Sequence, residues 1–243
     1  MRWLGMAFLG LVGVAHAGPR TPCDTCEACT AALATPGAEV ELKGPLTATA
    51  AGACVTIAGD GATFNAIGHP IQAADTAIAI TGADVLLRQP DVTQAKVGVR
   101  ITGARATVFG ARISASDVGV AVDGAADARL DRVTVTGGQV GVAFGALAGQ
   151  ACAPDASLRS AGAVVQRATI TGAQVGLAAC EARPVVLDSE VSGNQTGLLL
   201  GDPKAAGTGP GQAGPHDACA CAPTLDQVQP GTTLLFSSGC GGC

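Results

Sequence analysis

Tyrosine is absent from the 243-residue chain, tryptophan occurs once and phenylalanine five times, so aromatic residues make up only 2% of it. That scarcity argues against a sugar-processing cleft, which commonly gains apolar contact by stacking rings on the substrate. Charge is also sparse, at 14% of residues, and the net value is -5. A general nucleic-acid binder would carry a basic excess, and none is present. No phosphate loop or dinucleotide fingerprint occurs; the many glycines follow a different rule, given below. No apolar run is long enough to span a bilayer. What the chain does have is 48% hydrophobic residues and 35 glycines. The apolar content excludes a disordered chain, and the length allows one sizeable core.

The first residues read as a secretory signal over 1–17. Arg2 supplies the positive start, Leu4 to Val14 the short apolar stretch, and Ala15-His16-Ala17 a small-residue cleavage site before Gly18. Cys23 lies too far downstream for a lipid anchor. A secreted or periplasmic protein is expected, with no membrane association after cleavage. Removal of the signal takes away the one tryptophan, Trp3, and leaves Phe64, Phe109, Phe144 and Phe236.

An internal repeat dominates the rest. An apolar residue is followed five positions on by Val or Thr, then usually Gly, then another apolar residue. This pattern starts at Ile71, Val92, Ile113, Val135, Ile170 and Val191, at intervals of 21, 21, 22, 35 and 21 residues. The interval of 35 is one period plus an insertion near 146–160. Seven positions after each start stand Ile78, Val99, Val120, Val142, Leu177 and Leu198, and nine after stand Ile80, Ile101, Val122, Phe144, Ala179 and Leu200. Five before, from the second copy on, stand Leu87, Val108, Leu130, Val165 and Val186. Alternation of this kind marks strands with one buried face. The segments are too short, too β-branched and too glycine-rich for helices. A period of about 21 residues with three short strands fits one coil of a parallel β-helix, each coil stacking on the next at about 4.8 Å. The Gly of each Val-Gly-Val is expected to let a strand begin tightly after a corner. Gly82, Gly103, Gly124 and Gly145 are expected to take positive φ in a turn. The column Asp75, Lys96, Asp117, Gln139, Gln174 and Gln195 reads as a solvated turn.

These repeats resemble the right-handed parallel β-helix superfamily that includes pectate lyases. The opening CTAALATPGAEVELKGPL, followed by CVTIAGDGATFNA, is similar to that group's usual start: a short helix, then Pro36-Gly37, a first strand with Val40 and Leu42, and a turn at Gly59-Asp60-Gly61. The resemblance covers about 30–201. It implies an all-β, single-stranded right-handed β-helix with a short N-terminal helical cap. The expected organisation is a signal at 1–17, a Cys-rich cap and first strand at 18–53, the β-helix at 54–201, and a Gly/Pro-rich loop with a Cys-rich cap at 202–243.

The 10 cysteines form three even groups. Cys23, Cys26, Cys29 and Cys54 lie near the N-terminus, Cys152 and Cys180 in the middle, and Cys219, Cys221, Cys240 and Cys243 near the C-terminus. Even numbers in an exported chain favour disulfides. The expectation is two bridges in each terminal group, and one between Cys152 and Cys180 that pins the insertion to the following coil. Cross-linked caps would cover the open strand edges at both ends of the column. The alternative is metal: each terminal group has the thiolates for a zinc site.

Chemistry is harder to locate. The best local cluster is Asp123, Asp127, Arg129, Asp131 and Arg132, in which Arg129 and Asp131 point outward beside inward Ala128 and Leu130. Asp123, Asp127, Arg129 and Asp131 are candidates for acid–base work or for calcium, against the simpler reading of a solvated strand face. Arg100, Arg105 and Arg112 on neighbouring coils would extend a basic stripe for an acidic glycan. The paired Asp and Gly-His-Gly of the superfamily's hydrolases are missing. His69 and His216 have no Ser or Cys arrangement around them. The reading that explains every regular feature is therefore a non-catalytic exported β-helix with an envelope, adhesion or matrix role, needing no cofactor and offering a face to a cell-surface or matrix polysaccharide. A lyase or hydrolase of acidic glycans and a metal-binding protein are the alternatives.

Overall fold

A computed structural model describes residues 20–125, 127–145, 162–179 and 184–200. Residues 1–17, expected to be a signal, the insertion, Cys152, Cys180, His216 and the C-terminal group Cys219, Cys221, Cys240 and Cys243 lie outside the described residues.

The repeat columns become rows of a solenoid. Among the described residues seven coils each contribute three short strands, one to each of three sheets, and every strand pairing is parallel. The seven coils begin with the strands Glu39–Leu42, Thr63–Asn65, Leu86–Arg88, Thr107–Phe109, Arg129–Asp131, Val164–Gln166 and Val185–Leu187, which form the first sheet. Their starts lie 24, 23, 21, 22, 35 and 21 residues apart. The second sheet runs from Leu46–Ala48 to Glu190–Ser192 and the third from Ala53–Ile57 to Thr196–Leu200.

Inside the column, like rests on like. Val99 pairs with Ile78 below and Val120 above, and Val120 in turn with Val142. Val108 lies between Leu87 and Leu130, and Ile113 between Val92 and Val135. These side chains are almost entirely removed from water and belong to one continuous core. Phe144 and Phe64, the bulkiest members, are fully buried in it. Each buried aliphatic side chain is worth about 1.5–3 kcal/mol against exposure. A one-residue slip would turn a whole ridge outward, so the register is strongly fixed.

The glycine after each corner has a steric cause. A Cβ on Gly119 would come within 2.3 Å of Val135 Cγ1 and 2.5 Å of the Gly141 carbonyl oxygen, both in the following coil. Gly98, Gly141 and Gly176 meet the same obstacle from Ile113, Ile170 and Val191. At this position in the first two coils, which are longer, stand Cys54 and Ala77.

The glycines at the other corner divide. Gly124 and Gly145 have φ of 73° and 92°. Gly82 and Gly103 do not take the positive φ expected of them. What keeps them glycine is the coil underneath: a Cβ would sit 2.8 Å from the Ala58 oxygen in one case and 1.9 Å from the Gly82 oxygen in the other.

The N-terminal end is closed by a helix, Cys26–Leu33. Thr25 caps it, its Oγ1 accepting from the Ala28 N–H at 3.1 Å. Cys29 and Leu33 are fully buried against the first coil. Thr30 answers the open edge of the third sheet, its Oγ1 accepting from the Thr56 N–H at 3.0 Å and donating to the Cys54 carbonyl at 3.5 Å. Two disulfides fasten this cap, Cys23–Cys29 within it and Cys26–Cys54 to the first coil. The outermost strand of the first sheet, Thr21–Cys23, carries Pro22, which removes a donor from that edge.

Candidate functional site

Alternation on the strand Arg129–Asp131 buries Leu130 and turns its two charged neighbours outward. Stacking then supplies the partners. Asp131 lies in register with Gln166 on the next coil. Its carboxylate accepts from Gln166 Nε2 at 2.6 Å and from Arg167 Nε and Nη2 at 2.9 and 2.5 Å. Arg129 Nη2 is a further 3.9 Å away, and the Asp131 side chain is only 9% exposed. Burial pushes the Asp131 carboxyl up, but the hydrogen bonds from Arg167 and Gln166 and the charges of Arg167 and Arg129 outweigh it and hold the group below the usual range.

Arg129 and Arg167 lie against this carboxylate, Arg132 follows it in the chain, and Arg88 stands two coils earlier in the same column. Arg129 and Arg167 have side chains 51% and 46% exposed. Arg132 stands in the left-handed region at φ 55°, with its guanidinium carbon 5.4 Å from the centre of the Phe109 ring. Arg88 is in register with Phe109 one coil earlier. Among the described residues, neither Arg88 nor Arg132 has a carboxylate within ion-pair distance. The row therefore carries surplus positive charge over four coils, at intervals of about 5–10 Å along the axis. Asp188, exposed on the last coil, ends it.

The other sequence candidates are distributed elsewhere. Asp127 is exposed, at φ 57°, in the turn before the Arg129–Asp131 strand. Asp123 follows the third-sheet strand Val118–Val122. Asp131 stands at the far end of its strand, roughly 10 Å or more along the chain from Asp127. The three carboxylates are thus not gathered round one point. Among the described residues no group of three His, Cys, Asp or Glu could hold a metal ion. Arg100, Arg105 and Arg112 do not form one stripe: Arg100 is on the outer face of the third sheet, Arg105 in the turn before the first, and Arg112 begins a strand of the second. Arg105 is bound to Asp84 through two hydrogen bonds of 2.7 Å. The bond from Arg105 lowers the Asp84 carboxyl and the same contact raises Arg105. Arg112 Nη2 lies 3.4 Å from Asp91.

Arg167 and Gln166 were hidden by the insertion, which separates them from Asp131 by 36 and 35 positions. The signal was present all the same. Val165 aligns with Leu130 in the repeat, so Gln166 must fall beside Asp131. The N-terminal cysteines, joined in pairs, offer no thiolates to a metal. No protein-family model matches the chain, and no curated protein matches it significantly.

Proposed function

We propose that this chain is an exported, non-catalytic β-helix of the pectate-lyase-like kind, with an envelope, adhesion or matrix role, that holds an acidic polysaccharide along the outer face of its first sheet. The observation that carries the reading is the surplus of Arg88, Arg129, Arg132 and Arg167 on one sheet face beside a single carboxylate that Arg129 and Arg167 already engage. Guanidinium forks suit carboxylate or sulfate groups, and a straight face suits a linear polymer. Single-stranded nucleic acid fits this face less well: it needs open aromatic platforms, and the Phe109 ring faces Arg132. Two disulfides fit an oxidising compartment. Among the described residues no helix is long and apolar enough to cross a membrane.

The test is co-sedimentation of the protein with polygalacturonate, with neutral dextran and single-stranded DNA as controls. Binding to the acidic glycan that weakens as salt rises supports the reading. Equal binding to dextran, preference for DNA, or no binding overturns it. Accumulation of unsaturated glycan ends would move the assignment to a lyase.

A further inference from the structure

The third sheet has an outer face unlike those of the other two. Its outward columns are Val97, Val118, Val140 and Val175, and Arg100, Ala121, Ala143, Ala178 and Leu199. They form a second apolar cluster, separate from the interior core. Val118, Ala121, Val140, Ala143, Ala178 and Leu199 are only 1–4% exposed. Outward residues of the second sheet, such as Thr134 and Thr136, are exposed. Among the described residues the cluster holds only side chains of the third sheet itself. A flat strand face cannot hide its own valines from water, so these are covered from above.

We propose that the cover is the C-terminal segment of the same chain, residues 201–243. Three observations select it. Among the described residues the strand Thr196–Leu200 is the last of this sheet, so the segment starts at the edge of the face it would cover. Its 43 residues need reach only from the last coil to the third, four spacings or about 20 Å, which an extended chain covers in roughly six residues. Its chemistry also matches. It contains the apolar run Leu234-Leu235-Phe236, and its charges are Asp202, Asp217 and Asp226 against Lys204 alone. The cations at the apolar stripe are Lys96 and Arg100, and the Arg100 Nε is buried with no acceptor among the described residues. The insertion at 146–160 offers no such excess, with one Asp155 and one Arg159. The third sheet is on this account an internal seat, which leaves the outer faces of the first and second sheets for partners.

Photo-cross-linking of the full oxidised chain tests this. With p-benzoylphenylalanine in place of Val97, which lies half-buried at the edge of the stripe, irradiation of a dilute sample is expected to link it to a peptide from 201–243 at monomer mass. A link to 146–161, a product of dimer mass, or no link overturns the proposal. A second measurement does not depend on a bulky residue at the face. Leu234→Ser, Leu235→Ser and Phe236→Ser together, in the full chain, are expected to raise carbene labelling of the peptides holding Val118–Val122 and Val140–Phe144 several-fold, while labelling of outward Thr134–Thr136 stays constant. Unchanged labelling of the first two peptides overturns it.

Discussion

Gly119→Ala puts the stacking geometry to its sharpest test. The substitution adds one methyl group at an ordinary backbone angle, so no left-handed strain enters. The new carbon would stand 2.3 Å from Val135 Cγ1 and 2.5 Å from the Gly141 oxygen. Carbon atoms rest at about 3.5–4.0 Å, so more than an ångström of movement is needed. Val135 is fully buried in the core, and the second obstacle is backbone of the next coil. Neither can rotate away freely. Overpacking of this kind costs about 1–3 kcal/mol, and two fixed obstacles place the cost near the upper end. For a chain of this size about 3 kcal/mol corresponds to a Tm fall of roughly 6–12 °C. Thermal unfolding followed by circular dichroism measures it. Gly44→Ala is the control, since a Cβ there meets nothing within 4 Å and φ is not positive. It should be neutral or stabilising by up to about 1 kcal/mol. Val135→Ala should cost less in the Gly119→Ala background than in the wild type, with a coupling of about 0.5–3 kcal/mol. Equal Tm values for Gly119→Ala and Gly44→Ala would refute the account of the glycine column and, with it, the close stacking of coils.

Other consequences follow from the caps and charges. Cys26→Ser with Cys54→Ser frees the helix from the first coil; the bridge spans 28 residues, so a loss of about 2–5 kcal/mol is expected in denaturant unfolding. Reduction of the wild type, which also opens Cys23–Cys29, should cost at least as much. Arg129→Gln with Arg132→Gln should weaken polygalacturonate binding about five- to thirtyfold and flatten its salt dependence, whereas Arg105→Gln, on the other edge of the sheet, should leave it unchanged. The Asp131 carboxyl is held below its usual range, so its contribution to stability is present above the unfolded value and disappears as pH falls through the lower folded one. Acid unfolding of the wild type should therefore steepen below about pH 4, and Asp131→Asn should lack that component.

The solenoid was legible because its physics is one-dimensional. A repeat that returns at intervals of 21 or 22 residues places Val99, Val120 and Val142 in one column whatever the turns do. The corners were less legible. Gly82 and Gly124 occupy equivalent places in the repeat, yet one avoids a carbonyl oxygen and the other turns the chain through positive φ. A letter records that a side chain is missing, not which of two reasons removed it. The candidate site was legible only on one coil. Arg129, Asp131 and Arg132 are close in sequence, but their partners Arg167 and Gln166 lie beyond the insertion, and Phe109 and Arg88 lie one and two coils before.

The sequence by itself determined the coil period, the inward ridges and the register, because apolar burial at fixed intervals admits one winding. Only the tertiary structure decided which charges meet. It joined Asp131 to Arg167, separated Asp123 and Asp127 from that pair, and sent Arg100, Arg105 and Arg112 to different parts of the coil. Outward side chains contribute little to the winding, so no periodic rule governs them, and their neighbours are fixed only once the coils lie on one another.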